Sequence, residues 1–148
     1  MDMEQFLREY LAEQQEFPNR VTPPLIIDDS MEGSLKGVDL SGIDLSKCIL
    51  RFDLSGAIVR NADFQDAVWD YVSWEDIDFS GSDFSGFRNG VGCAFIRCNF
   101  NDTIWTGADL WQVGFVECTF NNADFGDPEL LEASCELHFM SERQYFGD

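Results

Sequence analysis

Between Gly33 and Phe125 a large apolar residue returns at nearly every fifth position. It falls at Leu35, Leu40, Leu45 and Leu50, then at Leu54, Val59, Phe64, Trp69, Trp74, Phe79 and Phe84. A third run is Phe95, Phe100, Trp105, Leu110, Phe115, Phe120 and Phe125. Two positions before each centre stands a smaller apolar residue, such as Val38, Ile43, Cys48, Ala57, Ala62, Ala67, Ile77, Cys98 or Ala123. Immediately before it Asp recurs, at Asp39, Asp44, Asp53, Asp63, Asp78, Asp83, Asp109 and Asp124. A period of five fits neither a helix at 3.6 nor a strand at 2. Two apolar residues per five, always at the same offset, need a chain that turns inward at each unit. A solenoid does this, because stacked coils share one core that no single coil could bury.

The flanks follow other rules. Residues 2–16 predict an amphipathic helix: Asp2 and Gln5 make a capping-box-like start, and Met3, Phe6, Leu7, Tyr10 and Leu11 share one face. That helix reads as a cap over the end of the solenoid or as an acidic interaction arm. Pro18, Pro23 and Pro24 forbid helix, and Leu25, Ile26 and Ile27 are placed to pair with the first coil. Residues 128–148 leave the pattern and read as a second cap or a dimer contact, with Leu130, Leu131, Leu137, Phe139, Met140, Tyr145 and Phe146 supplying apolar surface. The expected boundaries are 1–32, 33–127 and 128–148. The register slips twice. Leu50 to Leu54 is one residue short, and Phe84 to Phe95 is one residue long, with the second slip placed at Phe87–Gly92 as a bulge or small loop.

The repeated units GVDLS, GIDLS, NADFQ and GSDFS resemble those of the pentapeptide-repeat family, over about 95 of the 148 residues. The resemblance implies an all-β, right-handed quadrilateral β-helix with four pentapeptides per coil, here about five coils. It also implies non-catalytic binding, because the gyrase-protecting members of the family (the MfpA and Qnr types) imitate DNA and bind type II topoisomerases. With four units per coil, every twentieth residue shares a face, allowing for the slips. Leu40, Val59, Phe79, Phe100 and Phe120 then form one interior column, and Leu45, Phe64, Phe84, Trp105 and Phe125 another.

Composition sharpens this. The chain has 9 basic and 28 acidic residues, a net charge of -19. Direct nucleic-acid binding needs a basic footprint, so the expected partner is itself basic: a DNA-handling protein such as a defence complex or a gyrase-type topoisomerase. The acidic face is expected at Asp44, Asp63, Asp66, Asp83, Asp124 and Asp127, with Lys47 its one base and with Tyr71, Trp111 and Phe87 as outward aromatic anchors. A rod of 20–25 Å of duplex DNA would carry roughly a dozen charges or more, the order of this chain's own net charge. A family preference for Asp at that outward slot is the plainer account of the same residues.

Chemistry is otherwise sparse. The one histidine, His138, lies in the tail without a nucleophile set beside it by any motif. The five cysteines lack CxxC spacing, and four of them (Cys48, Cys93, Cys98 and Cys118) take inward slots. No enzyme, cofactor or metal is expected, and no run of 18 apolar residues suggests a membrane span. The first ten residues lack the basic and apolar features of a signal peptide, so a cytoplasmic setting is the expectation.

Overall fold

The computed structural model describes residues 2–17, 26–28, 33–70, 73–89, 94–110, 113–126 and 138–140. The elements run α1 (Met3–Glu16), β1 (Ile26–Asp28), β2 (Ile49–Arg51), β3 (Val68–Trp69), β4 (Trp74–Glu75), β5 (Arg88–Asn89), β6 (Ala94–Ile96), β7 (Gly114–Val116) and β8 (His138–Met140). One parallel sheet has the order β1-β2-β3-β5 and the other β4-β6-β7-β8. Two further ladders consist of single parallel bridges. One joins Asp39, Ile58, Asp78, Asn99 and Thr119; the other joins Asp44, Asp63, Asp83, Ile104 and Asp124. Partners in every ladder are 19 to 24 residues apart. The chain therefore returns to the same side once per turn, as a parallel β-helix.

The five-residue rhythm explains this path. At most described corners the Asp or Asn before a centre accepts a hydrogen bond from the backbone N–H two residues on. Ser41 donates to Asp39 at 3.0 Å, Ser46 to Asp44 at 2.9 Å, Ser55 to Asp53 at 2.9 Å, Ser80 to Asp78 at 3.0 Å and Ser85 to Asp83 at 2.9 Å. This Asx turn bends the chain after each centre and accounts for the Asp-x-Ser spacing. The residue after that donor takes a left-handed conformation, as at Gly42, Lys47, Gly56, Asp66, Gly81 and Gly86. A methyl group at Gly81 would lie 2.1 Å from Asn61 Oδ1, and one at Gly86 the same distance from Asp66 Oδ1, so a larger residue at either would have to displace that side chain.

The interior is columnar. Phe64 stacks on Phe84 at 4.8 Å and 2°, and Phe84 on Trp105 at 4.3 Å and 6°. In the next column Phe79 stacks on Phe100 at 5.2 Å and 4°. Aliphatic centres fill the earlier turns, with Leu35, Leu40, Leu45, Leu50 and Leu54 all buried. Three polar groups inside are satisfied locally. Ser82 Oγ donates to the Val59 carbonyl, Thr103 Oγ1 donates to that of Phe100, and Trp105 Nε1 donates to Thr103 Oγ1.

Helix α1 is capped by Asp2, whose carboxylate accepts from the Gln5 N–H at 2.8 Å. Its Met3 and Leu7 are buried in the solenoid core, with Phe6, Tyr10 and Leu11 packed against it. Gln14 meets the backbone of Asp44 twice: its side-chain amide donates to the Asp44 carbonyl at 2.6 Å and accepts from the Asp44 N–H at 2.9 Å. A neighbouring strand residue would form the same pair of bonds. Ile27 is buried against Leu50, its register partner, while Ile26 is exposed.

One expectation is corrected. Phe87 is fully buried and is no outward anchor. The pairing of Val68 with Arg88 and of Trp69 with Asn89 puts Phe87 in the inward slot that Ala67 takes one turn earlier. The register holds through Asn89 and resumes at Phe95, one residue late, so the slip falls after Asn89, past the first half of the expected Phe87–Gly92 window.

Candidate acidic face

The ladder Asp44–Asp63–Asp83–Ile104–Asp124 brings the four predicted aspartates onto one side of the helix. Neighbouring rungs of a parallel ladder lie ~4.8 Å apart, so three carboxylates follow one another directly and the fourth comes after Ile104. Asp44, Asp66 and Asp124 are exposed, while Asp63 and Asp83 are half-buried. Asp66 stands at the same corner as Lys47, one turn on. Asp127, Tyr71 and Trp111 lie outside the described residues.

At Asp63 the surroundings disfavour the charged form. Burial pushes the Asp63 carboxyl above its ordinary range, and the charges of Asp44 and Asp83 push the same way, against the hydrogen bond from Gln65. The neighbouring ladder Asp39–Ile58–Asp78–Asn99–Thr119 behaves oppositely. There Asp78 is drawn down despite its burial, because Arg60 Nε donates to it at 2.7 Å and Ser80 adds hydrogen bonds. Asp39 is also lowered, chiefly by the hydrogen bonds from Ser41.

Ile104 is the feature that sequence reasoning missed. It is 40 % exposed in the middle of the acidic row, a large apolar residue where Asp recurs elsewhere. The signal was present, as Ile104 stands immediately before a centre. Charge along the chain is also less even than the total suggests. Residues 33–126 carry fourteen acids and six bases, a net -8, so more than half of the -19 lies in the flanking segments. The solenoid itself is thus a weaker polyanion than whole-chain charge implies, and Asp44, Asp63, Asp83 and Asp124 are the four of its acids that share one ladder.

Other chemistry is thin among the described residues. They contain no group of three or more His, Cys, Asp or Glu arranged to hold a metal ion. No described helix is long and apolar enough to cross a membrane. A shallow open depression near the N-terminal end is lined by Leu35, Lys36, Asp53, Glu75 and Asp76. The last two of these acids engage Arg97, at 3.7 and 2.9 Å.

Comparison with known proteins bears on the repeat. Eight copies of the family model described as pentapeptide repeats match residues 53–86 and 93–127. No curated protein matches the chain in sequence. Among solved structures, the chain is similar to a trypsin-treated variant of QnrB1, described as a plasmid-mediated fluoroquinolone resistance protein. The identity is 15%, the TM-score is 0.38, and the match covers 74% of this chain and 70% of that one.

Proposed function

We propose, from the premise that this chain belongs to the pentapeptide-repeat family, that it is a non-catalytic binding protein whose acidic side imitates the phosphate row of DNA. The right-handed β-helix of such repeats is read here as a square coil of about five turns, with α1 as its N-terminal cap. Residues 128–148 are read as a C-terminal cap or dimer contact, and the setting as cytoplasmic. The partner is a DNA-handling protein with a basic channel, either a defence complex or a type II topoisomerase.

One observation carries this reading. The turn after a centre does not depend on a carboxylate: Asn99 supplies an uncharged acceptor, taking the Asn101 N–H at 2.9 Å. Ile58, Ile104 and Thr119 fill equivalent rungs with no carboxylate. Charge on consecutive rungs at Asp44, Asp63 and Asp83 is therefore not required by the corner, and directly opposed like charges are destabilising. A row that opposes its own fold is what binding to a cationic groove explains. One carboxylate per ~4.8 Å of axis compares with one phosphate per ~3.4 Å along a DNA strand. Complementary charge of this kind raises association rates and makes them sensitive to salt.

The test replaces Asp44, Asp63 and Asp83 together by Asn, which keeps the turn acceptor and deletes the charge. Material captured from host lysate by the native chain should be released by duplex DNA and by salt, and the triple variant should capture at least tenfold less. Capture that survives both DNA competition and the triple substitution would reject mimicry and leave a general interaction scaffold.

A further inference from the structure

Two cysteines occupy the same inward slot on successive turns. The bridge between Asn99 and Thr119 sets Cys98 and Cys118 in register, and the Thr119 N–H donates to the Cys98 carbonyl at 3.2 Å. Both are free thiols; Cys98 is buried and Cys118 half-buried. The two sulfurs lie within hydrogen-bonding reach of one another. Each also faces backbone oxygens, Cys98 Sγ at 3.7 Å from Trp74 O and Cys118 Sγ at 3.3 Å from Phe95 O. Earlier turns fill this slot with Val38, Ala57 and Ile77, so the stacked thiols are confined to this end of the solenoid. The ~4.8 Å separation of parallel neighbours falls inside the ~4.4–6.8 Å between Cα atoms that a disulfide spans.

We propose that Cys98 and Cys118 form a reversible disulfide between adjacent turns, a redox-controlled staple. Cys118 is the attacking group. It is the more accessible of the two, and the hydrogen bond from the Cys98 thiol holds it below the ordinary thiol range, whereas burial pushes Cys98 well above it. The Cys118 thiolate attacks one sulfur of a small-molecule disulfide such as oxidised glutathione, and the first thiol leaves. Cys98 then attacks Cys118 Sγ, its proton passing to the second thiol as that departs. Two protein thiols become one disulfide while the small disulfide is reduced to two thiols. The bond closes a loop of about 20 residues that includes Ile104 and Trp105, and so restrains the middle of the acidic row against local opening.

The experiment treats the reduced full-length chain with oxidised glutathione, counts free thiols and maps cross-linked peptides by mass spectrometry. The expected result is the loss of two thiols per chain, a linked 98–118 peptide, and full reversal by dithiothreitol. The melting temperature should rise by about 5–10 °C on oxidation. The Cys118→Ser variant should show neither the linkage nor the rise. The peptide map of the unmodified chain does not depend on that variant folding. Thiols that stay open to alkylation, a reaction that stops at a glutathione adduct, or linkage to Cys93 or Cys135 instead would each overturn the proposal.

Discussion

Two adjacent sides of the solenoid are built from the same five-residue unit and behave in opposite ways. On both, an Asp before the centre fastens the corner, and on both the centre behind it belongs to an aromatic stack. On the mixed side Asp78 has Arg60 at 2.7 Å and is interleaved with Ile58 and Asn99. On the acidic side Asp63 has a carboxylate above it and another below. The unit thus sets the corner, and the identity of the rungs sets the electrostatics. The two are separable, and that separability allows a structural residue to be used for binding.

The largest effects should be equal on the two sides. Phe84→Ala and Phe79→Ala each remove a ring from the middle of a column and should each cost about 3–5 kcal/mol in chemical denaturation. A large difference would mean that the columns do not share the load. Next, Gly86→Ala and Gly81→Ala should each destabilise by about 1–3 kcal/mol, since both glycines have positive φ and sit under an oxygen. Here too equality is expected, because both corners have the same geometry.

Charge is where the sides should part. Asp63 titrates above its ordinary value of 3.8, so the native state holds its proton longer than the unfolded chain does. Its contribution is present below pH 3.8 and is lost as pH rises through the raised value. Asp63→Asn should therefore gain stability over the native chain as pH climbs through that window. Asp78 is lowered, so its contribution is present above pH 3.8 and is lost as pH falls through the depressed value. Asp78→Asn should be the weaker protein at neutral pH and converge with the native one in acid. Melting temperatures at pH 3, 5 and 7 read both trends, and trends of the same sign would end the contrast. The smallest effect belongs to Arg60→Gln. This ion pair is more than half exposed on its arginine side, so its loss should barely move the melting temperature, while an NMR titration should show Asp78 moving upward.

The repeat made most of this readable in advance. A period of five, counted through two slips, places Asp44, Asp63, Asp83 and Asp124 on one side without any coordinates, because twenty residues per turn turns a spacing into a direction. The outward reading of Phe87 failed because Asn89 is polar at a centre, and a search for apolar centres passes over the unit that makes Phe87 an inward residue. The pairing of Gln14 with Asp44 had no signal at all. A glutamine on a helix obeys no periodicity toward a distant strand, and only the approach of the helix end to the first turn creates the bonds. The exposed Ile104 was visible as an exception to the Asp rule, yet periodic reading attends to what repeats.

That glutamine has a further consequence. The first bridged rung of a parallel stack offers a donor and an acceptor to any passing chain, which makes it a seed for end-to-end polymerisation. Here one carboxamide occupies both, and it carries no backbone onward. Elongation on that side therefore meets a dead end. On this ladder the stack is closed by a helix side chain, whereas on the β2 side it is continued by one more strand, β1.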